Sequence, residues 1–233
     1  MPAPTLPPAG LRSRIAALRA WQFALLALPL LLAWDASGLD LQIVRLFGSA
    51  GGFAWREQWL TAQLIHNGGR LLSAATLAFL LLLNLLPRRW LLPQLSRRER
   101  LLWLAVSVLS LLLISAIKRV SSTSCPYDLV EFGGVARYVS HWAFGLRDGG
   151  PGHCFPSGHA SSAFAFMIGA FVLARAYPRG ARAWLGAVLV LGLIYGLGQL
   201  VRGAHYPSHT LWTAWICWFV AAVLARRLLP TSH

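Results

Sequence analysis

The chain has 233 residues, of which 57% are hydrophobic and only 12% charged, about half the charged share usual in a soluble domain. With a mean hydropathy of +0.58, this excludes an ordinary soluble protein and leaves one helical membrane domain, with no room for a second folded domain of any size. The net charge of +14 would suggest nucleic acid in a soluble protein. Here most arginines flank apolar runs, so the expected partners are the bilayer and its anionic headgroups, and no nucleic acid.

In chain order, residues 1–10 are rich in proline and alanine, and residues 1–19 read as a cytoplasmic N-terminal tail. Arg12, Arg14 and Arg19 precede a first apolar run, Trp21 to Trp34, read as an uncleaved span in which Pro29 is tolerated. Leu39 to Asn67 mixes apolar and polar residues and is predicted to be an interfacial amphipathic segment. His66, beside Asn67-Gly68-Gly69, reads there as a turn-flanking surface histidine whose removal matters little. The second span is predicted over Arg70–Leu86 and the third over Leu101–Ile117, with a basic loop between them.

The longest polar loop, Lys118 to Phe155, contains Asp128, Glu131, His141, Asp148 and His153. Further spans are predicted over Ala160–Ala176, Trp184–Val201 and His209–Leu224, leaving residues 230–233 as a short tail. Arginines crowd the N-terminus, the second-third loop, the fourth-fifth loop and the Arg226-Arg227 end. The positive-inside rule makes that side cytoplasmic and turns the Lys118–Phe155 loop and the Arg202–Ser208 connection outward together. The expected fold class is thus an all-α integral membrane protein with six transmembrane helices over residues 20–229. Its active site faces the periplasm, and the interfacial segment lies between the first two spans.

The run Phe155-Pro156-Ser157-Gly158-His159 stands where the polar loop meets an apolar segment. Pro156 suits the start of a helix and Ser157 is a strong N-cap candidate, so free backbone N–H groups there attract phosphate. His159 sits where an imidazole can exchange a proton with a bound anion. At the ends of other spans lie Lys118, the one lysine, then Arg119, Arg202, His205 and His209. Cations, a helix start and three histidines suit phosphoryl transfer without a metal. The rival is zinc held by His205-x-x-x-His209, against which Pro207 and the flanking cations argue.

This order and spacing resemble the type 2 phosphatidic acid phosphatase family, membrane relatives of the vanadium haloperoxidases. The second motif, Pro-Ser-Gly-His, is intact at Pro156–His159. The first motif is lysine, six residues, Arg-Pro, and here Lys118 leads to Cys125-Pro126. The third is Ser-Arg, five residues, His, three residues, Asp; here Gly198-Gln199 stand for Ser-Arg, His205 is kept, His209 replaces the aspartate, and Arg202 follows Gln199 by three residues.

The resemblance implies a lipid phosphatase acting on a phosphate monoester or diphosphate, such as undecaprenyl diphosphate, a glycerolipid phosphate or lipid A. It implies a bacterial inner membrane location and no cofactor or metal. His205 would be the nucleophile, His159 the general acid, and His209 the group that orients His205. Lys118, Arg119, Arg202, Ser157 and Gly158 would bind phosphate oxygens, and Asp128 or Glu131 would supply the missing negative charge. A lipid phosphotransferase using the same phosphohistidine, or a lipid-phosphate binding or transport protein without turnover, are the alternatives. Cys125 and Cys154 each flank a motif in the outward loop and are expected to form a disulfide, with Cys217 a buried thiol.

Overall fold

A computed structural model describes residues 9–87 and 89–229, with side chains from Arg19 onward. The expectations for residues 1–8 and 230–233 lie outside the described residues. Helix α1, Ala9–Ala36, starts within the stretch read as a tail and keeps Pro29 inside it. After Gly38, with φ 70°, the chain turns through 62° into α2, Leu39–Arg45. A two-residue hairpin follows, β1 Gly48–Ser49 against β2 Gly52–Phe53. A π-helical turn, Leu60–Asn67, then runs without a stop into α3, Gly68–Leu85. The remaining helices are α4 Arg97–Val120, α5 Gly158–Phe164, α6 Ile168–Leu173, α7 Pro178–Val201 and α8 Pro207–Leu228.

Among the described residues, four helices, Leu60–Leu85, Arg97–Val120, Pro178–Val201 and Pro207–Leu228, are long and apolar enough to cross a membrane, or five if the bent α1–α2 pair is one span. The predicted fourth span differs: Gly158–Leu173 is too short on that criterion and is broken between α5 and α6. The cause is visible at Phe166, whose carbonyl accepts the Trp184 indole at 2.8 Å, while i→i−3 bonds tighten the turn around it. Ala160, Phe164, Met167, Ile168 and Val172 are nearly inaccessible. This segment is the buried centre of the bundle, so its all-round apolarity records packing against protein rather than lipid.

The second span also differs, starting ten residues ahead of its predicted Arg70. The Gly68-Gly69 pair, read as a turn, lies inside the helix because α7 approaches closely. A Cβ on Gly69 would stand 2.9 Å from the Tyr195 ring, and one on Gly198 would stand 2.7 Å from Ile65. Small residues at such a crossing let two membrane helices pack backbone to backbone. Only α2 and the hairpin remain of the predicted interfacial segment.

Helix α1 lies along α8, which donates the Trp215 and Trp218 indoles to the Ala24 and Ala20 carbonyls at 2.8 and 2.9 Å. At the site end, buried Asp40 accepts the Ser208 N–H at 2.9 Å, the Ser208 hydroxyl, and the Trp34 indole at 2.9 Å. The carboxylate thus satisfies a free donor in the first turn of α8 and suits the positive end of its dipole. Asp40→Ala leaves those donors without a partner. It is expected to lower stability by about 1–3 kcal/mol, read as a drop in the unfolding midpoint in detergent.

Candidate active site

Four helix ends meet at one end of the bundle: the C-termini of α4 and α7, carrying Lys118 and Arg202, and the N-termini of α5 and α8, carrying His159 and His209. Ser157 caps α5, accepting the Ala160 N–H at 3.4 Å. The loop from 121 to 157 folds over these ends and is held by buried Asp148. That carboxylate accepts the Ser124 N–H and hydroxyl at 2.6 and 2.9 Å and the Gly150 N–H at 2.9 Å. Cys154 N–H donates to the Thr123 carbonyl at 2.9 Å, and Cys125 and Cys154 form the predicted disulfide, with Cα atoms 5.1 Å apart.

Beneath the loop is a cavity of ≈ 420 Å³. Lys118, Arg202, Gly158, His159 and His205 line it, as do Arg56, Arg70, His66, Gln199 and Tyr127. Four fixed cations face a single carboxylate, Glu57, so the space favours an anion. Arg202 is held by one N–H, its Nε donating to the Arg56 carbonyl at 2.8 Å, while its Nη1 is buried without a hydrogen-bond partner. Arg56 in turn stacks over the Tyr127 ring at 4.2 Å.

His205 is buried, with Nδ1 3.3 Å from Nδ1 of His209 and 3.6 Å from the Cys154 sulfur. Burial, then the charge of Lys118 and the neighbouring His159, hold its pKa well below the ordinary imidazole value. At neutral pH the ring keeps a free lone pair. His209 lies behind His205, almost fully buried, with Nε2 unpartnered. His159 Nε2 lies 2.9 Å from the His66 carbonyl. A carbonyl only accepts, so Nε2 carries a proton and Nδ1 is the nitrogen left for exchange.

Several expected site residues stand elsewhere. Arg119 is exposed and does not line the cavity, because it follows Lys118 by one position and so points to another face of α4. Ser157 is fully buried with its hydroxyl engaged as the cap, so it shapes the site without lining it. Asp128 accepts the Cys125 N–H at 3.2 Å, and Glu131 pairs with Arg45 at 2.6 Å on the surface. Neither carboxylate reaches the histidine pair. The acid on that side is Asp35, which accepts the Trp142 and Trp212 indoles and lies 3.3 Å from His141 Nε2; the His141 ring is edge-on to His209 at 5.8 Å.

His66 is a correction. It lines the cavity, stacked on His159 with ring centres 4.0 Å apart, because the π-turn continues into α3 where a surface turn was read. Arg56 and Arg70 also line the cavity unforeseen, since a flanking arginine reads equally well as an interface marker.

One group of donor atoms among the described residues is close enough for a metal, Cys125, Cys154 and His205 within 4.8 Å of one another. Its sulfurs are bonded to each other, so neither offers a thiolate. The bridge instead ties the first-motif segment to the second and packs against His205. Closing its 29-residue separation contributes about 3–4 kcal/mol by chain entropy, an upper figure for an anchored loop. Reduction is expected to lower activity at least severalfold, with recovery on reoxidation. Alkylation of both thiols in protein isolated without reductant would contradict the bridge.

A cationic cavity lined by histidines at the joined ends of long apolar helices marks a membrane protein with a site suited to an anion. Residues 100–230 match the PAP2 superfamily, and the chain belongs to it. Membership points to phosphatase or phosphotransferase chemistry on phosphorylated lipids. Comparison with curated proteins and with solved structures finds no significant match.

Proposed function

We propose that the chain is a metal-independent lipid phosphatase that works through a phosphohistidine on His205. The observation that carries this reading is that Lys118, Arg202, His159 and His205 line one cavity with Arg56 and Arg70. His205 Nδ1–H donates to His209 Nδ1, leaving Nε2 to attack phosphorus. Lys118 and Arg202 hold the phosphate oxygens, Arg202 through the donor that has no protein partner. With the phosphate dianion bound, His159 is the imidazolium; it gives its Nδ1 proton to the leaving oxygen and becomes neutral. It then takes one from the water that cleaves the P–N bond, which frees His205 and releases inorganic phosphate.

In this reading the chain crosses a bacterial inner membrane six times, by α1, the π-turn with α3, α4, α5–α6, α7 and α8. Residues 20–229 form the membrane domain, both termini are cytoplasmic and the site is periplasmic. The arginines clustered away from the site end support that orientation.

Purified protein given undecaprenyl diphosphate, a glycerolipid phosphate and lipid A in turn is expected to release phosphate from at least one. It should do so equally in excess EDTA, and vanadate should inhibit. Loss of activity in EDTA that zinc or magnesium restores would overturn metal independence. Phosphate moved to a second lipid would make the protein a transferase, and binding without turnover a carrier.

A further inference from the structure

We propose that His66 is a substrate-contacting residue of this cavity, donating Nε2–H to an oxygen of the bound phosphate. Three observations converge on it. The ring lines the cavity and lies parallel to His159, 8° between planes and 4.0 Å between centres, so both imidazoles border the same space. Gln199 Nε2 stands 3.3 Å from His66 Nδ1; an amide nitrogen donates, so Nδ1 accepts and Nε2 carries the proton. No described residue bonds that Nε2, and it is not sealed from the cavity. A donor fixed in tautomer, held from behind and unpartnered in front is arranged for an acceptor that arrives with the ligand.

The local fold fits this role. A π-turn inserts an extra residue per turn, a distortion concentrated at functional positions, and here it carries His66 at the head of α3. The backbone already supplies one service, the carbonyl that His159 bonds. That service needs no particular side chain at 66, so the ring and its bond to Gln199 need a separate explanation. Gln199 occupies the position where the third motif has arginine. Gln199 and His66 together return one N–H to the cavity where a guanidinium would otherwise reach. The matched family region begins at residue 100, so His66 lies outside it.

The inference rests on the phosphate-site reading above but is separable from it. The test is equilibrium binding of orthovanadate to the full chain in detergent, with kcat and KM on a lipid phosphate measured in parallel. His66→Phe keeps the carbonyl and a ring against His159 while removing the donor and the Gln199 bond. It is expected to bind vanadate about tenfold more weakly, with KM rising more than kcat falls. In wild-type protein labelled with 15N-histidine, the His66 Nε2 resonance is expected to move on vanadate binding, a measurement that requires no variant to fold.

Wild-type vanadate affinity in His66→Phe, or an unmoved His66 resonance, would show the ring to be only a packing plate and overturn the proposal. Lipid hydrolysis alongside either result would leave the phosphatase reading standing. Weakened vanadate binding in His66→Phe without turnover of any lipid by wild type would support the His66 contact while sinking the hydrolase. A wild type that binds no vanadate would overturn both.

Discussion

Alanine at His205 or at His159 is expected to abolish measurable turnover, each costing on the order of 10²-fold or more in kcat. For His205 the reason is covalent: its buried, neutral ring is held from behind by His209 and is the one proposed to bond phosphorus. For His159 the reason is protonic, since its Nε2 is committed to the His66 carbonyl and its other nitrogen is the one proposed to serve the leaving group. The two losses are distinguishable. His159→Ala should still form phosphohistidine from a substrate with a good leaving group, such as a nitrophenyl phosphate, detectable by acid-labile 32P on the protein. His205→Ala should not. Glu131→Gln, on the surface pair with Arg45, controls for purification and should match wild type. Near-normal rates in either histidine variant would sink the mechanism.

Arg202 is expected to be next in weight. Its Nε is fixed by the Arg56 carbonyl, and its Nη1 is buried with no partner, a cost a native fold tolerates when a ligand supplies the acceptor. Arg202→Ala should cost on the order of 10–10²-fold in kcat/KM, from loss of a charge-assisted bond to the phosphate. Arg202→Lys keeps the charge without the planar fork, so it should lose both the Arg56 tether and the aimed donor and remain impaired. Full activity in Arg202→Ala would reduce the residue to a snorkelling marker at the interface.

The last half of the chain was the more legible in sequence. Pro156 to His159, Lys118 and His205 carry their chemistry in residue type and spacing, and the cavity gathers all but the capping Ser157 and Pro156 itself. What sequence misjudged has physical causes. Gly68-Gly69 is ambiguous between a turn and a tight helix crossing, and only the Tyr195 ring on α7 decides it. That misreading moved His66 to the surface and shortened the second span. The break between α5 and α6 comes from an indole eighteen residues away in sequence, which periodicity cannot register. Arg119 was grouped with Lys118 by adjacency, although neighbours on a helix face different ways. Asp35 and Asp40 went unmarked because a lone aspartate near a span end looks like solvated polarity until its partners, Trp142, Trp212 and Ser208, are seen.

The pairing of α1 with α8 bears on how the protein comes to be made. Among the described helices, α1 leaves the ribosome first and α8 last, yet Asp40 caps α8 and the α8 tryptophans bond α1 carbonyls. His205 and His209 bracket the start of that final helix. In the proposed mechanism, His205 and His209 therefore take their places only once α8 has packed on α1. Nascent chains stalled within α8 should leave Trp34 and Asp40 open to solvent labelling, and full-length chains should protect them.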